Sequence, residues 1–173
     1  MDTFTQLLIA SLASGLMLFG AVYLVLRRML AAESERRNIA LIKSTKDITL
    51  PLRLQAHERL LMLMERISPE ALVLRLRRPD ASNAELHAEL IAAIRAEFEH
   101  NLSQQMYVST ELWSAIVLAK NGVITACNTC AQQVQPQAPS IQLAQKLLEY
   151  HVANELPTSN AILQVKKEVA RLF

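Results

Sequence analysis

Residues 97–109 read EFEHNLSQQMYVS, a stretch in which two carboxylates, a histidine, an asparagine and two glutamines surround Phe98 and Leu102. Glu97 and His100 stand three apart. That E-x-x-H spacing puts a carboxylate and an imidazole on one face of a helix, and di-iron carboxylate bundles repeat it on two of their helices. A complete site of that kind needs a second E-x-x-H and two more inward glutamates. The chain has no second copy, because Glu85 and His87, like Glu149 and His151, are two apart and cannot share a face. A metal at Glu97 and His100 therefore requires a symmetric dimer to complete it. Within one protomer no metal and no cofactor is expected.

The same residues have a structural use. Arg53 and His57 are four apart and lie among apolar positions, away from the polar face formed by Gln55, Glu58, Arg59, Glu65 and Arg66. A buried charge must be paired and hydrogen-bonded, or it costs several kcal/mol. Glu97, Glu99, His100, Asn101 and Gln104 offer the carboxylate, imidazole and amide groups to do this. The expectation is a polar cluster of Arg53, His57, Glu97, Glu99, His100, Asn101 and Gln104 that sets the register of two helices. In it Arg53 pairs with Glu97 or Glu99, and Tyr107 and Trp113 close over the joint.

Other chemistries lack their parts, and no catalytic residue is expected. There is no G-x-S-x-G, and no Ser or Cys has a placed base and orienter. Beyond the N-terminal apolar run the only glycine is Gly122, so no phosphate-cradling loop and no nucleotide site are expected. Cys127 and Cys130 form a single C-x-x-C with helical flanks on both sides, without the further ligands zinc needs or the strand-to-helix junction of redox motifs.

The elements that position these residues follow from composition. All 18 Lys and Arg residues lie from Arg27 onward, as do all 16 Asp and Glu residues but Asp2. Residues 3–26 carry no charge at all, and these 24 residues exceed the roughly 20 that span a bilayer core as a helix. A transmembrane helix is expected in residues 1–28. Within it Ala10 and Ser14, and Ser11 and Gly15, are small-xxx-small pairs that let helices approach closely. Arg27 and Arg28 follow at headgroup level, and the positive-inside bias places the remaining chain in the cytoplasm. Beyond the membrane the charge is nearly even, which excludes a dedicated nucleic-acid binder. Arg75, Arg77 and Arg78 are a second candidate for lipid headgroups.

Strand signals are nearly absent, and the architecture reads as all-α: one N-terminal transmembrane helix followed by a cytosolic bundle of about five to six helices. Residues 29–49 form a juxtamembrane helix and linker ending in the breakers STKDIT, and residues 50–173 form the helical domain. Thr49 caps a central helix over 50–67, with Pro51 in its first turn and two apolar stripes, one of Leu54, Leu61 and Met64 and one of Leu52, Ala56, Leu60, Leu63 and Ile67. SPE at 68–70 starts a short helix, and Ser82 with Glu85 makes a capping box for a helix to about Gln105 with the stripe Leu86, Leu90, Ile94, Phe98 and Leu102. Ser109 caps the next helix, over 110–133. Two more follow near 140–155 and 159–172.

LPLRLQAHERLLMLMERISPE at 50–70, IRAEFEHNLSQQMYVS at 94–109 and the ending KKEVARLF resemble an uncharacterised family of bacterial single-span membrane proteins. The resemblance implies an N-terminal anchor in the inner membrane, a cytosolic helical domain and no established activity. It maps recurrent positions onto Arg53, Gln55, Glu58, Arg59, Glu97, Glu99, His100, Asn101, Gln104 and Gln105, and it implies an aromatic residue where this chain has His57. The chain also looks superficially like the anchored stator subunit of rotary ATP synthases, but its six prolines preclude that subunit's uninterrupted stalk helix. The expected role is an interaction or assembly protein working with other membrane proteins or with itself at the lipid bilayer.

Overall fold

A computed structural model of the chain describes residues 3–154 and 157–173; the side chains of residues 5–11, 13, 31–32, 34, 36–46 and 157 are outside that description. The described residues are helical apart from turns and one isolated bridge, between Ser82 and Pro139. The all-α reading holds. Six α-helices are described: α1 (Thr3–Arg66), α2 (Pro69–Leu76), α3 (Asn83–His100), α4 (Thr110–Ala131), α5 (Ile141–Ala153) and α6 (Pro157–Ala170), with a 3-10 segment (Leu102–Tyr107) between α3 and α4. The chain divides into two compact units, Met1–Thr49 and Leu50–Phe173.

The first unit carries the early part of α1. Among its described side chains, four consecutive apolar ones are exposed: Leu16, Met17, Leu18 and Phe19, each 68–79 %. Successive residues of a helix point about 100° apart, so four in a row cover its whole circumference. Among the described residues, however, no helix is long and apolar enough to cross a membrane. The expected span draws on residues 5–11 and 13, which lie outside the described side chains, and Ala10 and Ser11 fall among these. Ser14 is exposed, and a Cβ added at Gly15 would meet open space.

In the second unit the core is built from the capping and stripe positions of the sequence. Leu60, Leu63 and Met64 of α1, and Ile67 just after it, join Leu86, Leu90 and Ile94 of α3 in one apolar cluster. Leu112, Ile116, Val123 and Cys127 of α4, Leu143 and Leu147 of α5, and Ala161 and Val165 of α6 complete it. The helix starts behave as their side chains dictate. Ser68 accepts from the Ala71 N–H, Ser109 from the Leu112 N–H, and Ser82 and Glu85 form the reciprocal capping box.

Three expectations change. The break at STKDIT is absent, and α1 takes Pro51 inside it. Proline deletes one helical hydrogen bond, but the apolar stripe that follows continues at helical spacing and is buried. Second, α3 ends at His100, where the Asn101 backbone N–H turns to Phe98 O and Glu99 O and the chain tightens into the 3-10 segment. The shorter period rotates Leu102 off the α3 stripe and leaves it 41 % exposed. Third, Leu52 is 42 % exposed and not part of the inner stripe.

A polar clip joins the loops that precede α3 and α5. Asn83 is buried; its Nδ2 donates to Gln135 O at 2.8 Å and its Oδ1 accepts from the Leu143 N–H at 3.1 Å. The Asn83 N–H reaches Ala138 O and the Ser140 N–H reaches Ala81 O, so these irregular backbones satisfy each other.

Candidate functional site

The polar residues singled out by type and spacing divide between two places. The first is a partly buried joint around Glu168 of α6. Ser109, the cap of α4, donates to it twice: its N–H to Oε1 at 3.0 Å and its hydroxyl to Oε2 at 2.5 Å. His57 of α1 is 1 % exposed and directs Nε2 at Oε1 from 3.2 Å, at an angle too poor for a hydrogen bond, so the contact is electrostatic. The other ring nitrogen, Nδ1, donates to Arg53 O at 2.6 Å. Arg53 completes the joint, with Nη2 3.7 Å from Oε1 and Nε donating to Tyr107 O at 3.3 Å.

Burial by itself pushes the Glu168 carboxyl up, but the hydrogen bonds from the Ser109 hydroxyl and N–H and the contact with His57 outweigh it and hold the group below its ordinary value of 4.5. Serine, histidine and glutamate meet here, yet not in the order that activates a nucleophile. The carboxylate sits between the other two, receives the serine proton, and the Ser109 oxygen also accepts the capping N–H of Leu112. Chemically this is a clamp.

The expected partnership of Arg53 with Glu97 or Glu99 is therefore corrected. Arg53 goes to Glu168, and Glu97 goes to Arg66, whose Nε and Nη2 lie 2.7 and 2.6 Å from Oε1. Arg75 of α2 approaches the same oxygen at 3.8 Å and also donates to Arg66 O. The reason is rotational. His57 points into the joint while Arg66 lies on the exposed side of α1, where the end of α3 meets it.

Of the remaining expected cluster, Asn101 is buried and donates back to Glu97 O at 2.8 Å, closing the end of α3, and Gln104 donates to Ser103 Oγ at 3.2 Å. Glu99 and His100 are exposed. Trp113 stacks on Phe98 with centroids 5.4 Å apart, and Lys120 lies over the same ring. Tyr107 meets the Arg53 joint through its carbonyl.

The second place is an open groove between α1 and the end of α3, with a volume of about 410 Å³. Its walls carry Gln55, Glu58, Arg59 and Met62 on one side and Glu97, His100 and Asn101 on the other. Gln55, Glu58, Arg59 and His100 have no hydrogen-bond or ion-pair partner among the described residues. The groove thus presents a cation, an anion, an amide and an imidazole beside a half-exposed thioether.

A family described as a family of unknown function, DUF7935, matches residues 2–172. The chain belongs to it. No curated protein and no solved structure matches the chain.

In this DUF7935 member Glu168 is the residue that sequence reasoning missed. A signal was present: Glu168 follows Ala161 and Val165, both buried, at seven and three residues, which puts a carboxylate on the inner stripe of α6. Ser109 was expected only as a cap.

The other candidates are placed as follows. Cys127 and Cys130 are free, buried and within one helix; burial pushes the Cys127 thiol up to about 12 and raises Cys130 as well. Among the described residues no group of three or more His, Cys, Asp and Glu could hold a metal. In the arginine cluster Arg78 pairs with Glu89 at 2.6 Å and Arg75 with Glu97, while Arg77 is exposed. Arg27 and Arg28 are exposed.

Proposed function

We propose that this chain is a non-enzymatic, membrane-anchored helical module that assembles with other membrane proteins or with itself. The observation that carries the reading is the groove of α1 and α3. It gathers polar side chains that have no partner among the described residues, while the one nearby arrangement of serine, histidine and carboxylate is consumed as a clamp. Groups held ready for a partner on the surface of a rigid bundle suit recognition, and groups bonded to each other in its interior suit stability.

The anchor is the uncharged run of residues 3–26, followed by Arg27 and Arg28. Apolar side chains exposed around the whole circumference of a helix need lipid or protein to cover them. The basic flank orients the bulk of the chain toward the cytoplasm of a bacterial inner membrane.

The test is affinity purification of the full-length protein from its native membrane in mild detergent, with native mass spectrometry of what is recovered. A stable complex with other membrane proteins, or a homo-oligomer, is the expected result. A monomer that recovers nothing would remove the reading. Iron, manganese or zinc at one or two per dimer would replace it with a metal site at Glu97 and His100 built across two copies.

A further inference from the structure

We propose that His57 is a proton-operated latch on the last turn of α6: with a proton on Nε2 it holds Glu168, and without it the contact turns repulsive and the end of α6 loosens. The tautomer follows from the partners. Nδ1 lies 2.6 Å from Arg53 O, and a carbonyl oxygen can only accept, so Nδ1 carries a proton whether the ring is neutral or charged. Nε2 of a neutral ring is then a bare lone pair. It is buried, has no hydrogen-bond partner among the described residues, and lies 3.2 Å from Oε1 of Glu168. That oxygen has no proton to offer. Glu168 is ionised near neutrality, its carboxyl held below its ordinary value, and its two oxygens accept from the Ser109 N–H and hydroxyl. A neutral His57 therefore sets a lone pair against a carboxylate, whereas an imidazolium sets a cation against it.

The other charged groups around the joint are solvated. Arg53 approaches the same Glu168 oxygen at 3.7 Å, but its side chain is 41 % exposed and water screens it. Glu58 of α1 and Lys166 of α6 line the hollow beside the ring; both are exposed, and they are opposite in sign. Glu111, Lys167 and Arg171 line the hollow next to Glu168 and are exposed as well. From the start of α4 the joint receives only the neutral Ser109. The last turn of α6 depends on this contact, because beyond Val165 no residue of α6 is buried, and Glu168 and Val169 are its half-buried ties. The sign follows from linkage. A proton that the folded chain holds against Glu168 stabilises the closed turn on the acid side of the imidazole range, and that hold is lost as pH rises and the folded ring gives the proton up. Far below neutrality Glu168 itself takes a proton, and the hold is lost there too.

The decisive experiment uses full-length protein in mild detergent. Carrying His87→Gln, His100→Gln and His151→Gln, the chain keeps His57 as its only histidine. Nitrogen NMR of the ring then reads its charge directly from about pH 6 to about pH 9. Protons on both ring nitrogens are expected at neutral pH, and adding Glu168→Gln should leave a proton on Nδ1 alone. Hydrogen exchange, corrected for its own pH dependence, reads the latch. The amides of residues 168–171 should open about ten-fold more often once His57 has lost its proton, while those of α3 stay unchanged. In Glu168→Gln this step should vanish; glutamine keeps the shape of the side chain and an acceptor for Ser109, so the comparison separates charge from packing. The latch is overturned if Nε2 is bare at neutral pH with Glu168 in place, or if the exchange step survives Glu168→Gln. Should the triple background not fold, the exchange step in the wild-type chain against Glu168→Gln decides by itself.

Discussion

Glu168 and Glu97 each hold basic side chains from other helices, and besides an exposed arginine on each, only Glu168 has a buried partner. Glu168 is 13 % exposed and faces a histidine that is 1 % exposed. Glu97 is 18 % exposed, but its main partner Arg66 is half in solvent, at 50 %, and Arg75 is at 35 %. The carboxylates are alike; the partners differ. Removing one partner of a buried pair strands the other without water, whereas an exposed arginine left alone is simply rehydrated. The Glu168 joint should therefore behave as a structural lock and the Glu97 bridge as a surface contact of small weight.

The sharpest way to break this contrast is Glu168→Ala. It strands His57 and leaves the Ser109 hydroxyl without its acceptor, and it should destabilise the folded chain by about 3 kcal/mol. Urea unfolding in detergent, followed by helical circular dichroism, measures it; a loss under about 1 kcal/mol would mean that water already reaches the joint.

Next comes Ser109→Ala, which removes the cap of α4 and one of two donors to Glu168 in a single change. A loss of about 1–2 kcal/mol is expected. If the two roles are joined as described, Ser109→Ala in the Glu168→Ala background should cost visibly less than in wild type.

Acid titration sharpens the comparison further. Glu168 has its folded pKa below the ordinary 4.5, so its contribution is fully present above that value and is lost as pH falls through the lower folded pKa. Glu168→Gln should thus lie closest to wild type in stability at the acid end and differ most near neutrality. A gap that does not narrow below pH 4.5 would assign the joint's stability to packing and not to the carboxylate's charge.

The smallest effect belongs to the surface bridge. A double-mutant cycle of Arg66→Ala and Glu97→Ala should give a coupling below about 1 kcal/mol that fades in high salt. A larger, salt-insensitive coupling would abolish the distinction between the two carboxylates.

Much of the helical architecture was legible one residue at a time. Ser68, Ser82 and Ser109 announce helix starts because a short side-chain oxygen can satisfy a backbone N–H two or three residues on, wherever the rest of the chain lies. Leu86, Leu90 and Ile94 announce a buried face because helical spacing alone aligns them. The limits were local too. STKDIT reads as a break by propensity, but propensity is a weak term once a continuous stripe is buried beyond it. Leu102 reads as part of a stripe until the helix tightens into a 3-10 turn and carries it around.

The partnerships were not legible, although the partners were. Sequence alone established that Arg53, His57 and Glu97 belong to an all-α chain with polar joints, since a charge among apolar positions needs a counter-charge somewhere. Which counter-charge it meets depended on how α6 returns against α1 and α4 from the far end of the chain. Helical spacing relates residues within about two turns; Glu168 is more than 100 residues from His57, and only packing decides which of several carboxylates arrives there.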